Sequence, residues 1–306
     1  MFVIKKVAIL GASGTLGQVI VPALLRAGFE VTSIARPGAR PHLYTGVVAK
    51  TALYDDLPAL TTALQGQHAV VEAFNPAAAV HQGTIVQAAL AAGVTHLITP
   101  DFSSDTFNPH AHELLIFEPK RQAQQELEEL VASSERALAW TAIIVGGLYD
   151  WGIETGRFWV DRKARTITRF GSGDQKYSMS RLALTGDAVV TVLANPAQYC
   201  NKPAYFASHT VSTNQLAAII QESCGGGWKV IDRPLDGFVG EGRELWEQDT
   251  VEGVKDRLNT QAYQMLGSAA LFDEFNRYGA DFGDKAEPGW DEGQEALRDN
   301  LKRLLN

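Results

Sequence analysis

Apolar and polar positions alternate between two periods along the first half of the chain. Short apolar runs at 7–10, 31–35, 46–49, 68–74, 94–99 and 138–145 predict strands. Between them, residues 18–27, 56–64, 82–92 and 118–134 carry apolar side chains at helical spacing. Gly28 and Gly93 stand just past two of these helices, where a left-handed residue closes the last turn. Strands alternating with helices of about 10–15 residues imply βαβ units and hence a parallel sheet covered on both faces. Right-handed crossovers then give an α/β fold with a doubly wound parallel sheet.

After about residue 146 the rhythm loosens. Residues 148–181 are rich in aromatic and charged side chains and hold no long helical pattern. Residues 186–194 read as a helix stopped by Asn195-Pro196, and 204–208 and 229–233 as short strands. Ser212 is placed to cap a helix running to Cys224, and from Leu245 onward the chain is mostly helical, with a glycine- and acid-rich stretch at 278–292. The expected organisation is a first domain over residues 1–150 and a smaller C-terminal α/β subdomain over 151–306, its chain partly interleaved with the first. That subdomain is expected to bind substrate against the C-terminal edge of the sheet, where doubly wound folds hold their ligands.

The composition narrows the function. With 45% hydrophobic and 20% charged residues in 306, this is an ordinary globular chain and neither disordered nor collagen-like. A formal charge of −8 argues against nucleic acid or an anionic membrane surface as the main partner. No apolar run approaches the roughly 18 residues that span a bilayer. Cys200 and Cys224 cannot build a disulfide framework and read as small core residues. The first six residues run into a strand without an apolar leader or cleavage site. A soluble cytoplasmic protein, monomeric or homodimeric, is expected.

The sharpest local signal is Gly11-Ala12-Ser13-Gly14-Thr15-Leu16-Gly17, a G-x-x-G-x-x-G run between a strand and a helix. Glycine permits the tight turn and lets the backbone approach a pyrophosphate, which sits on the free N–H groups of the helix end. The alternative is a tight turn with no ligand. On the first reading Gly11, Ser13, Gly14, Thr15, Leu16 and Gly17 hold a dinucleotide in a Rossmann-type site. NAD sites place an acid about 20 residues further on, to bond the ribose 2′-hydroxyl. Here the second strand ends in Ala35-Arg36-Pro37-Gly38-Ala39-Arg40, with no acid and two arginines. A guanidinium matches a 2′-phosphate in charge and bidentate shape, so NADPH is the expected cofactor, with Arg36 the main contact and Arg40 a weaker one. Solvated loop arginines are the competing account.

These residues resemble the NmrA-like, isoflavone-reductase-like branch of the short-chain dehydrogenase/reductase superfamily, over nearly the whole chain. The run from Val7 through Gly17 fits that branch's spacing. His96-Leu97-Ile98-Thr99-Pro100-Asp101-Phe102-Ser103-Ser104-Asp105 resembles its fifth-strand motif, and Phe117-Glu118-Pro119-Lys120 its lysine-bearing helix start. Gly146-Gly147-Leu148-Tyr149-Asp150-Trp151-Gly152 is similar to a motif of fungal members. The Tyr-x-x-x-Lys pair of ordinary short-chain dehydrogenases is missing: Tyr177 is followed four residues later by Arg181, which does not titrate. The resemblance implies instead that a lysine on the helix after the fifth strand serves in catalysis, and that the substrate is a secondary metabolite.

Lys120 is therefore the leading catalytic candidate, bonding the nicotinamide ribose or assisting proton transfer; a surface lysine is the alternative. Asn75, Phe102 and Gly146 follow strands four, five and six and are expected at the cofactor, against plain turn or packing roles. His112 is a second acid–base candidate, whereas His110 and His112 alone are too few ligands for zinc, and no metal is expected. Asp101, Asp105 and Asp150 read as a carboxylate cluster or as solvated loop acids. Tyr149, Trp151, Phe158 and Trp159 suit either a pocket for a flat substrate or a subdomain core. The expected activity is NADPH-dependent reduction of an aromatic or conjugated small molecule. The alternatives are a non-enzymatic NADP(H)-sensing regulator that binds a partner protein and a redox-neutral isomerase or cyclase.

Overall fold

The structure, a computed structural model, describes residues 3–39, 44–157 and 159–306. In chain order it runs β1 (Lys6–Leu10), α1 (Gly17–Arg26), β2 (Glu30–Ala35), β3 (Val48–Thr51), α2 (Leu57–Leu64), β4 (Ala69–Glu72), α3 (Gln82–Ala92) and β5 (His96–Ile98). There follow α4 (Glu118–Ser133), β6 (Ala139–Ile144), β7 (Gly147–Leu148), α5 (Tyr149–Thr155), β8 (Val160–Asp161), β9 (Thr166–Phe170) and β10 (Lys176–Ser180). The chain ends through α6 (Leu184–Ala194), β11 (Lys202–Tyr205), β12 (His209–Ser212), α7 (Thr213–Ser223), β13 (Lys229–Arg233), α8 (Phe238–Val251), α9 (Gln261–Phe272) and α10 (Gly293–Leu305).

Two units share this chain. The first holds Met1–Phe102, Pro119–Ile143 and Ala183–Ala204; the second holds Ser103–Glu118, Ile144–Leu182 and Tyr205–Asn306. A cut at residue 150 falls inside a segment of the second unit, because the chain returns to the first unit to supply α6 and most of β11.

The first unit is built on a seven-stranded sheet of order β11-β6-β5-β4-β1-β2-β3, parallel in every pairing from β3 to β6. β4 is buried at all four positions and β1 at all but Lys6, as continuous apolar strands under helices on both faces must be. Register fixes the site's floor. Leu10 lies opposite Ile34 on one side and Glu72 on the other, so the turn after β1 emerges beside the end of β4. There Gly11 takes φ +92°, and a Cβ on it would collide with the Ala73 carbonyl oxygen, so only glycine fits.

One strand lies elsewhere than the sequence suggests. The run at 204–208 was expected in the smaller subdomain, yet Lys202–Tyr205 forms the edge of the large sheet beside β6. The preceding segment is tied to β6 by Thr141 Oγ1 donating to the Tyr199 carbonyl (2.7 Å) and by the Trp140 N–H donating to Asn201 Oδ1 (3.0 Å). These are long-range bonds that no local pattern announces.

The second unit holds two three-stranded sheets, β12-β10-β7 and β13-β9-β8. Its core is centred on Trp159, Tyr177 and Phe272, whose rings meet edge to face at centroid distances of 5.0–5.2 Å. α10 buries Leu297, Leu301, Leu304 and Leu305 in the same core. At the head of α7, Ser212 and Gln215 form a reciprocal capping box. Ser212→Ala should therefore cost about 1 kcal/mol, read as a lower denaturant midpoint with an unchanged slope.

Candidate active site

The glycine loop leads into α1, which begins with no side-chain cap on Leu16 and no acidic residue in its first turn. Gly14 N–H donates to the Gly11 carbonyl and Gln18 N–H to the Gly14 carbonyl, both at 3.0 Å, which folds the loop over the helix end. Ser13 and Thr15 stay exposed on it. An uncapped helix end with glycine backbone before it fits the pyrophosphate of a dinucleotide. At the end of β2, Arg36 is exposed and begins a turn closed by the Ala39 N–H on its carbonyl (3.0 Å). Tyr54, for which the sequence offers no signal, lies near enough to feel the Arg36 charge. Its hydroxyl donates to the Ile34 carbonyl (3.3 Å) and its ring centroid lies 5.7 Å from that of Phe74. Burial pushes the Tyr54 phenol up to about 12 although the Arg36 charge works the other way.

Lys120, in the first turn of α4, is buried, and its Nζ donates to the backbone carbonyl of Asp101. Burial pulls its ammonium from 10.5 down to about 8, with the Asp101 carboxylate partly opposing. The Asp101 side chain is itself buried and accepts a hydrogen bond from Thr99 Oγ1 at 2.7 Å. Phe102 follows at φ +34° and is buried. Glu72, the last residue of β4, is wholly buried, and burial together with the Asp101 charge raises its carboxyl to about 8, although Gln82 works the other way. The sequence carried one signal for it: a carboxylate interrupting an otherwise apolar run at 68–74.

The other expected residues make these contacts within the chain. Asn75 is exposed and its side chain accepts the Ala77 N–H at 3.0 Å, capping the 3₁₀ turn Pro76–His81. Gly146 belongs to the second unit, where it takes φ +67° and any Cβ on it would strike the Ser178 carbonyl oxygen. Tyr149 and Trp159 are 1% and 7% exposed in the second unit's core, so packing, and not an open pocket, explains their aromaticity. Trp151 is half-buried with the Arg157 guanidinium 4.8 Å from its ring centroid. His112 is exposed, one ring nitrogen held at 2.8 Å by the Pro109 carbonyl. Of the other two acids, Asp105 is buried against Lys285 (3.0 Å) and Asp150 is half-buried and accepts the Leu182 N–H (2.8 Å). Arg40 and Phe158 lie outside the described residues. Among the described residues no helix is long and apolar enough to cross a membrane.

A parallel doubly wound sheet whose first strand runs through a glycine loop into an uncapped helix defines a dinucleotide-binding protein. Residues 11–196 match the model of the NAD(P)H-binding family, and the chain belongs to that family. It is similar to oxidoreductase poxI of Penicillium oxalicum, 28% identical over 255 residues, 82% of this chain and 80% of the relative. Oxidoreductase aprR of Aspergillus flavus is 30% identical over 231 residues, 74% of this chain and 76% of its own. The fold is that of AtPrR2, solved with NADP⁺ and (+)-pinoresinol, at a TM-score of 0.73 and 16% identity over 99% of this chain and 100% of that one. The protein is thus of the oxidoreductase type and binds a nicotinamide dinucleotide.

Proposed function

We propose that this protein is an NADPH-dependent reductase of an aromatic or conjugated small molecule, with Lys120 assisting proton transfer. The observation that carries the proposal is the burial of an ionisable lysine at the head of α4, held by the backbone that follows β5. In a doubly wound sheet that is the strand edge where ligands bind. When bound, reduced nicotinamide supplies a hydride. The loop from Gly11 to Gly17 binds pyrophosphate, and Arg36 pairs with the 2′-phosphate beside Tyr54. Lys120 Nζ, titrating at about 8, gives a proton to the substrate oxygen near neutral pH and is oriented by the Asp101 carbonyl. His112 is assigned no step. An aromatic substrate is supported by the (+)-pinoresinol bound to the structurally similar AtPrR2. A sensor of NADP needs the glycine loop and Arg36 but no buried lysine, and Lys120 is the reason for preferring an enzyme.

The test is a titration with NADPH and NADH, followed by nicotinamide fluorescence, for the unsubstituted protein and Arg36→Ala. NADPH should bind about tenfold or more tightly, a difference of about 1.4 kcal/mol, and the variant should lose that preference. A preference retained in Arg36→Ala would remove Arg36 from the site. Binding of neither nucleotide would overturn the reductase reading.

A further inference from the structure

We infer that the second unit carries a separate small-molecule site beside β12, and that this site takes a primary ammonium with a small apolar body. The inference stands apart from the reductase proposal, because none of the lining residues belongs to the glycine loop, the Arg36 turn or the surroundings of Lys120.

The site is a cavity of about 290 Å³ lined from β12, α7 and α10, all within the second unit. β12 is the outermost strand of its sheet and pairs on one side only, with β10. Val211 of β12, Ile219 of α7 and Leu297 of α10 give the cavity an apolar wall, and the last two are otherwise buried. Ligand pockets run from roughly 300 to 1,000 Å³ and combine apolar walls with a few placed polar groups, so this cavity suits a small ligand. His209 is a further wall. It is 3% exposed, and its Nε2 has no hydrogen-bond partner. The Glu292 carboxylate stands 3.8 Å from that nitrogen, beyond hydrogen-bond reach.

Charge selects the ligand. Asp291 lines the cavity and is exposed, whereas no lysine or arginine lines it among the described residues. Burial holds the His209 imidazole below its ordinary range, so the ring adds no positive charge at neutral pH. The guanidinium that His209 feels, Arg181, is committed to Glu292, with its Nε 2.8 and 3.0 Å from the two carboxylate oxygens. α10 brings its positive end to the cavity through Gly293 and Gln294, equivalent to about half a charge. Asp291 already answers it, its Oδ1 accepting the Gly293 N–H at 2.7 Å, and Glu295 adds a carboxylate in the same turn. Full negative charges outweigh half a positive one, so the cavity favours a cation over an anion. An ammonium donates to the Asp291 carboxylate while its apolar body displaces water from Val211, Ile219 and Leu297, and that burial supplies most of the affinity.

The test titrates the purified full chain at neutral pH and low salt with three probes of similar size: benzylammonium, benzyl alcohol and benzoate. Labelling histidine with carbon-13 at Cε1 lets NMR follow the ring on the cavity wall, with the His209 resonance identified by its absence in His209→Gln. Benzylammonium should move that resonance and bind more tightly than benzyl alcohol, with benzoate the weakest of the three. Asp291→Asn keeps an oxygen for the Gly293 N–H and removes the charge. It should weaken benzylammonium by about threefold or more and leave benzyl alcohol unchanged. This comparison needs no histidine variant, so it holds even if His209→Gln fails to fold. Benzylammonium that binds as tightly to Asp291→Asn, or that leaves His209 unmoved, lies elsewhere on the chain, and the inference falls. Tighter binding of benzoate would reverse the charge argument and overturn it as well, as would the absence of binding by all three probes at millimolar concentration. NADPH binding by the unsubstituted protein and by Asp291→Asn should be equal, so a failure here leaves the reductase reading untouched.

Discussion

Lys120→Ala should lose turnover by about 10²–10⁴-fold, the usual loss for a positioned acid–base group, while binding NADPH within a few-fold of the unsubstituted protein. Lys120 donates to the Asp101 carbonyl and contributes no part of the glycine loop or the Arg36 turn, so its removal leaves the proposed phosphate contacts in place. Lys120→Arg should be nearly as impaired, because a guanidinium does not release a proton near neutrality. Steady-state kinetics beside fluorescence titration separates the two quantities. Normal turnover in the alanine variant would end the catalytic assignment. The variant should also change how stability depends on pH. The proton of the Lys120 ammonium is held less tightly in the folded chain, about 8 against 10.5, so the burial penalty of the charge is present in full below pH 8 and fades as pH rises towards 10.5. Lys120→Ala should flatten the rise in stability across that window.

Trp159→Ala should destabilise the protein by about 3–5 kcal/mol, a large share of the roughly 5–15 kcal/mol that holds a typical domain together. Its ring meets both Tyr177 and Phe272 edge to face, so truncation empties the centre of the second unit's core instead of one wall of it. Denaturant unfolding measures this directly. Trp151→Ala, at a half-buried position against Arg157, should cost clearly less. If Trp159→Ala kept its stability and instead raised KM, the residue would belong to a substrate pocket and the core assignment would be wrong.

What could be read in the sequence was what is encoded locally. α3 runs over Gln82–Ala92 as its apolar spacing and Gly93 require, and Gly93 takes the left-handed conformation that ends it. α2 starts one residue later than expected because Asp56 is its cap, accepting the Ala59 N–H, and not its first residue. β13 falls on 229–233, and Ser212 caps α7 as its place before the helix suggests. Within 147–161, β7 and β8 have two residues each and α5 seven, too short to show a period. The glycine loop was legible because its function lies in consecutive residues. Lys120 was legible only through its neighbours' resemblance to a family motif, since spacing alone does not distinguish a buried lysine from a solvated one. The aromatics Tyr149 and Trp159 show the limit most plainly. A core and a ligand pocket select the same side chains, and only the three-dimensional neighbours tell them apart.

The interleaving of the two units bears on how the chain can be made. During synthesis the strands of the large sheet leave the ribosome with β6 as an open edge, because β11 comes more than 50 residues later. β6 reads Ala139-Trp140-Thr141-Ala142-Ile143-Ile144, an uncharged apolar strand of the kind that pairs with other chains when its edge is bare. The span shared with the family, residues 11–196, stops short of β11. A nascent chain of that length has every residue of the nucleotide loop yet no cover for its sheet, so the nucleotide-binding half is completed only by residues made after it.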